Sequence, residues 1–260
     1  MAIGLSMVLL RDTADLPVPR IEQELRTRYP ELDAAIAESD GAVAVLQLKN
    51  GRLMLACMPC QIPWSDLEGP CATSILWKDA ADEVKTHAAH VVVSVATELN
   101  PVEQSILLTQ VTTAVLAACD SAMGVYWGNA TLLVPKPVFV EFAEKMLPEG
   151  PPLHIWVDFR VGWQTAGTSA GFTTGMTALG HMDMEARDWP AKPSDLRDRF
   201  MTFALYVLEN GPVIKDRDTI GQDASEKIRA VYAPGTFGQN ARVIQLRYEA
   251  APAKPWWKVW

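Results

Sequence analysis

The chain holds four cysteines and four histidines in 260 residues, few side chains from which to build a metal or thiol centre. It has no run of Lys and Arg, and 31 acidic against 23 basic residues leave a formal charge of −8. Nucleic acid is therefore not an expected partner, because that binding relies on clustered cations to displace counterions. The longest strongly apolar run, AAHVVVSVA, is far shorter than the ~20 residues of a membrane-spanning helix. The opening MAIGLSMVLL lacks a basic n-region and a small-residue cleavage site, so it reads as a strand and not as a signal peptide. These absences point to the cytoplasm, where the cysteines stay reduced. Gly-x-Ser-x-Gly, P-loop, dinucleotide and His-Glu-x-x-His patterns are all missing, and with them the commonest catalytic signatures.

What is present is ordinary globular material: 49% apolar and 21% charged residues, enough for a sizeable core. IGLSMVLL reads as a buried strand, and Pro19 with Ile21 and Leu25 predicts a helix over 18–29. GAVAVLQL and GRLMLACM are joined by KNG. Asn50-Gly51 at that junction predicts a β-hairpin with positive-φ turn residues. PCQIPWSDLEGPCATS reads as irregular, DAADEVKTHA as a helix capped by Asp79, and AHVVVSVA as a strand. Pro101 opens a helix whose face is Ile106, Leu107, Val111, Ala114, Val115 and Ala118. MGVYWG and ATLLV are short strands, Pro137 begins a further helix, and LHIWVDFRVGW reads as one long strand. Ser194 is the expected cap of an amphipathic helix stopped by Gly211 and Pro212, and SEKIRAVYA pairs with ARVIQLRYE. This mixed order is that of an α+β fold with largely antiparallel sheets covered by helices. PEGPP at 148–152 suggests a hinge, dividing the chain into domains 1–150 and 151–260, unless the two form one continuous unit.

Several phrases resemble a bacterial domain family of unknown function: SMVLL, MPCQIPW, LWKDA with HAAHVVVSV, GVYWG, IWVDFRVG, GFTTGMTALG, DRDTIG and PWWKVW. They span nearly the whole chain and are packing and turn phrases. Members of this kind look like proteins encoded beside interbacterial toxins, including effectors of the type VI secretion apparatus. The resemblance therefore implies a non-enzymatic immunity protein that binds and blocks a cognate toxin inside the producing cell. The acidic charge suits a basic toxin, since opposite charge speeds encounter. No catalytic residue, cofactor or metal is expected on this reading.

Four groups of residues bear on function beside that reading. Cys57, Cys60, Cys71, His87 and His90 hold the donor types of a zinc site or a thiol enzyme. Cys57 closes a strand, however, and Pro63 disfavours a helix starting between Cys57 and Cys60, which is where redox cysteines gain acidity. Buried thiols, and histidines bonded to backbone at a helix–strand junction, are the plainer reading, while His154 and His181 stand alone. Gly167, Gly171, Gly175 and Gly180 lack the lysine of a phosphate loop and read as conformational freedom between strands. Asp216, Asp218 and Asp223 lack the glycine and terminal glutamate of a calcium loop and read as a turn. Asp216 and Asp218 are the expected contacts with a basic partner. Trp256, Trp257 and Trp260 need cover, on their own domain, on the partner, or in a homodimer or self-associating adaptor.

Overall fold

The structure, a computed structural model, describes residues 2–13, 15–221, 226–238 and 241–248. The described residues form α-helices and two mostly antiparallel sheets, an α+β fold, as the order of patterns along the chain implies. The chain divides into two compact units, residues 1–158 and 159–260.

The first unit is built on a seven-stranded sheet. Strand β1 (Ala2–Leu10) leads to helix α1 (Val18–Arg28), then to β2 (Ala35–Ser39), β3 (Val43–Leu48) and β4 (Gly51–Met58). Helices α2 (Trp64–Thr73) and α3 (Ala80–Val84) precede β5 (Ala89–Thr97), the long α4 (Pro101–Ala118), β6 (Ala122–Trp127) and β7 (Leu132–Pro135). The strand order is β2-β3-β4-β5-β1-β6-β7, which places β1 between β5 and β6. Side chains alternate across a strand, so β1 serves both faces. On one face the Ser6 hydroxyl meets that of Thr112 in α4 at 2.7 Å. On the other, Leu9 joins Leu67, Cys71, Trp77, Ala80 and Val84 of the α2–α3 segment in one cluster.

Helix α4 is started by a capping box: Asn100 accepts from the Glu103 N–H, and the Glu103 carboxylate accepts from the Asn100 N–H. Its apolar stripe is not its only buried face, for Thr109, Thr112 and Thr113 are also fully buried. They tolerate this because the Ser105, Thr109 and Thr113 hydroxyls donate to carbonyls one turn back, at 2.8–3.0 Å. Thr109 also accepts from the Trp156 indole N–H at 2.8 Å.

Several local expectations are corrected. The hairpin between β3 and β4 forms, but its two turn residues are Lys49 and Asn50, with Leu48 opposite Gly51. Asn50 has no positive φ; Gly51 has it, at 151°, and a Cβ there would sit 2.4 Å from the Ala96 carbonyl oxygen. The segment 64–73 is helical despite Gly69 and Pro70. Asp79 stands at the start of α3 without a side-chain cap bond. After α5 (Lys136–Glu141), Leu153–Trp156 is the helical turn α6, so the predicted long strand begins only at Asp158.

The second unit carries a six-stranded sheet. Its elements are β8 (Asp158–Thr165), β9 (Thr168–Thr174), β10 (Met184–Trp189), helix α7 (Pro193–Asn210), β11 (Thr219–Ile220), β12 (Ile228–Pro234) and β13 (Arg242–Tyr248). The order is β11-β12-β13-β10-β9-β8. β10 and β13 are parallel, and β12 and β13 form the expected closing antiparallel pair. Helix α7 starts one residue earlier than the Ser194 cap implies: Lys192 holds the cap position and Pro193 opens the first turn, where its missing N–H costs nothing. Leu196, Phe200, Phe203, Ala204 and Val207 make its buried stripe.

Candidate functional site

The Cys-x-x-Cys segment is the first place to look for chemistry. Cys57 pairs with Val91 at the end of β4, Cys60 lies exposed in the following bend, and α2 begins only at Trp64. Neither thiol therefore stands at a helix N-terminus. His87 is buried, and both ring nitrogens are engaged: Nδ1 donates to the Val84 carbonyl at 2.5 Å, and Nε2 accepts the Ile62 N–H at 2.8 Å. An N–H can only donate, so Nε2 carries no proton, and its lone pair holds the loop that follows the cysteines. His90 donates through Nδ1 to the Cys60 carbonyl at 2.9 Å, so the backbone and not the thiol of Cys60 meets that ring. Burial, and secondarily His87, lowers the His90 pKa. Cys71 is buried among the α2–α3 residues. Among the described residues, no three His, Cys, Asp or Glu side chains converge as a metal site would need.

Cys57 has a neighbour that sequence spacing did not single out. It lines a cavity of about 300 Å³ with Cys119, the residue that ends α4, and with Arg20 and Asp120. The Arg20 guanidinium bonds both carboxylate oxygens of Asp120 at 2.9 Å, and Lys136 donates to the Cys119 carbonyl at 3.1 Å. Burial raises the pKa of Cys57, and it pushes Cys119 up to about 11. Both groups are thus thiols at neutral pH, the opposite of an activated nucleophile.

Asp216 and Asp218 sit in a braced turn. Asp216 Oδ1 accepts the Tyr232 N–H at 2.8 Å and Asp218 Oδ2 accepts the Lys215 N–H at 2.8 Å. Arg217, between them, adopts a φ of 69°, and its N–H bonds the Ala230 carbonyl at 2.7 Å. The turn is thereby fastened to β12, with the Asp216 side chain 45% exposed. Asp223 and the tryptophans Trp256, Trp257 and Trp260 lie outside the described residues.

The glycine-rich stretch is a strand and a turn: Gly175 and Gly180, at φ 120° and 85°, bracket a short helical turn, Met176–Leu179. Gly171 instead lies where a Cβ would come within 2.4 Å of the Arg160 carbonyl oxygen. Asp183 holds this turn in place, accepting from Thr173 Oγ1 at 2.9 Å and the Met176 N–H at 3.1 Å. Its pKa is raised by burial, against the pull of those bonds. His181, with a pKa lowered by burial, lines an apolar cavity of about 380 Å³ with Met184, Val207 and Ile244.

A second cleft, of about 450 Å³, opens where β10 and β13 part. Their parallel register ends at Ala186 and Leu246, and β10 then bulges at Arg187 and Asp188, the latter at φ 54°. Glu185 lies buried at its base. It accepts the Thr236 N–H at 2.8 Å, the Thr236 hydroxyl at 3.2 Å and the Gln245 amide at 2.7 Å.

Residues 172–247 match a domain of unknown function (DUF4261). The DUF4261 segment runs from Phe172 in β9 to Arg247 in β13, so it contains α7, the acidic turn and the β10–β13 cleft. Of the phrases that carry the family resemblance, DRDTIG and nearly all of GFTTGMTALG fall inside it. No curated protein and no solved structure matches the chain.

Proposed function

We propose that the chain is an immunity protein, acting in the cytoplasm, that binds and neutralises a cognate toxin of the type VI secretion kind without chemistry of its own. The observation that carries this reading is the braced acidic turn in the DUF4261 segment. Asp216 and Asp218 are held by backbone donors before any partner arrives, so little ordering entropy is lost when a cationic surface docks. The formal charge of −8 supports a basic partner, because opposite charge raises the association rate. The raised pKa values of Cys57, Cys71 and Cys119 agree with a protein that works by contact. No helix among the described residues is long and apolar enough to cross a membrane.

The test uses Asp216→Asn and Asp218→Asn. An amide oxygen still accepts the backbone N–H, so the turn survives while two charges go. Association with the product of the neighbouring toxin gene should slow by about tenfold in the double variant at low salt, with dissociation little changed. Equal association rates for variant and wild type would remove the acidic turn from the interface.

A further inference from the structure

The β10–β13 cleft brings together charges that are scattered in the sequence. Arg229 in β12 is directly opposite Arg247 in β13, and Arg187 lies one rung beyond the last β10–β13 pair, Ala186 and Leu246. Three arginines thus stand on neighbouring strands, with the paired residues Glu185 and Gln245 one step before Arg187 and Arg247 on the same face. Like charges directly opposite one another in a sheet are unfavourable, and more conspicuous in a chain with a formal charge of −8.

Two of these cations are fixed in place without a counter-charge among the described residues. Arg187 donates through Nε to Thr236 Oγ1 at 2.8 Å and through Nη2 to the Thr236 carbonyl at 3.1 Å. Its guanidinium carbon lies 4.2 Å from the centre of the Phe237 ring, which stacks in turn on Phe172 at 5.1 Å. Arg247 donates through Nη2 to Gln245 Oε1 at 2.8 Å. Among the described residues, neither has a carboxylate within ion-pair distance. The two acids that line the cleft are otherwise engaged: Glu185 with Thr236 and Gln245, and Asp188 with the Gln164 amide at 2.9 Å. Both guanidiniums retain N–H groups in the planar fork that suits bidentate bonding to an oxyanion. The volume of the cleft, about 450 Å³, lies within the range of small-molecule sites.

We propose that this cleft binds a compact ligand bearing at least two negative charges on phosphate or carboxylate groups, clamped between Arg187 and Arg247. Thr236 and Gln245 hold the two guanidiniums apart, and the ligand supplies the counter-charge that they lack among the described residues. The claim is independent of the immunity reading, since no toxin enters its test.

Isothermal titration of the full chain at low ionic strength, with pyrophosphate in one arm and citrate in the other, decides it. Saturable binding of one or both at a single site, with a Kd of about 1 mM or tighter, is the expected result, and the tighter arm identifies the group. Arg247→Gln should weaken it by about tenfold or more, while Arg242→Gln, at the far end of β13 and bonded to the Tyr232 carbonyl, leaves it unchanged. Arg187→Gln should weaken it likewise; because Arg187 also braces the turn, Arg247→Gln decides if that variant does not fold. Absence of saturable binding in both arms, or wild-type binding by Arg247→Gln, would overturn the proposal.

Discussion

His87 shows how one side chain settles the use of a whole segment. Its two nitrogens tie the end of α3 to the loop after Cys60, which sends Cys57, Cys60 and Cys71 to three different surroundings. Removing the ring would leave the buried Ile62 N–H unpaired, at a cost of about 1–3 kcal/mol, while the Val84 carbonyl keeps the backbone N–H of residue 87. His90 and His181 carry a different consequence. Both have pKa values lowered from 6.5 by burial. The unfolded chain therefore binds more protons as pH falls below about 6.5, so their contribution is complete above that value and is lost on acidification below it. Urea unfolding midpoints should fall between about pH 7 and pH 5, and His90→Asn with His181→Asn should flatten that slope. An unaltered slope in the double variant would contradict the assignment.

Among the elements, the sharpest constraints come from close approach. A Cβ on Gly124 in β6 would lie 2.5 Å from both the Trp77 ring and the Val134 carbonyl oxygen. Gly124→Ala should therefore cost about 1–3 kcal/mol by overpacking. Asn100→Ala removes half of the α4 capping box, and about 1 kcal/mol is expected. Chemical denaturation that ranks the two in the reverse order would show that the Trp77 contact yields more easily than its geometry implies. These elements also show what could be read without coordinates. The strands AHVVVSVA and IGLSMVLL and the helix opened by Pro101 declare themselves because composition, period and cap agree. The helix at 64–73 was hidden by Gly69 and Pro70, and its burial against Leu9 and Met123 is a tertiary fact. The run LHIWV is apolar without a period, so one helical turn and a strand start look alike in it. The acidic turn was legible from its aspartates, while its fastening to Tyr232 depends on residues far along the chain. Cys57 beside Cys119, and the arginines of β10, β12 and β13, were not legible, because sheet register and not sequence distance assembles them.

At the scale of the molecule, the two units divide the labour that the sequence only hinted at. The first is a seven-stranded sheet with helices on both faces, in which burial raises the pKa of Cys57, Cys71 and Cys119 and the rings of His87 and His90 bond backbone carbonyls. The second holds the DUF4261 match, the braced acidic turn and the arginine cleft, and it is here that recognition is proposed to reside. The proposed role is judged by what the toxin can no longer do. The most direct measurement is therefore growth of cells producing the neighbouring toxin, with and without this chain, alongside the Kd of the purified pair. The account predicts that the chain restores growth and binds the toxin in the nanomolar range, on the order of −12 kcal/mol. Killing that continues unabated in the presence of the folded chain, with no measurable complex, would contradict it.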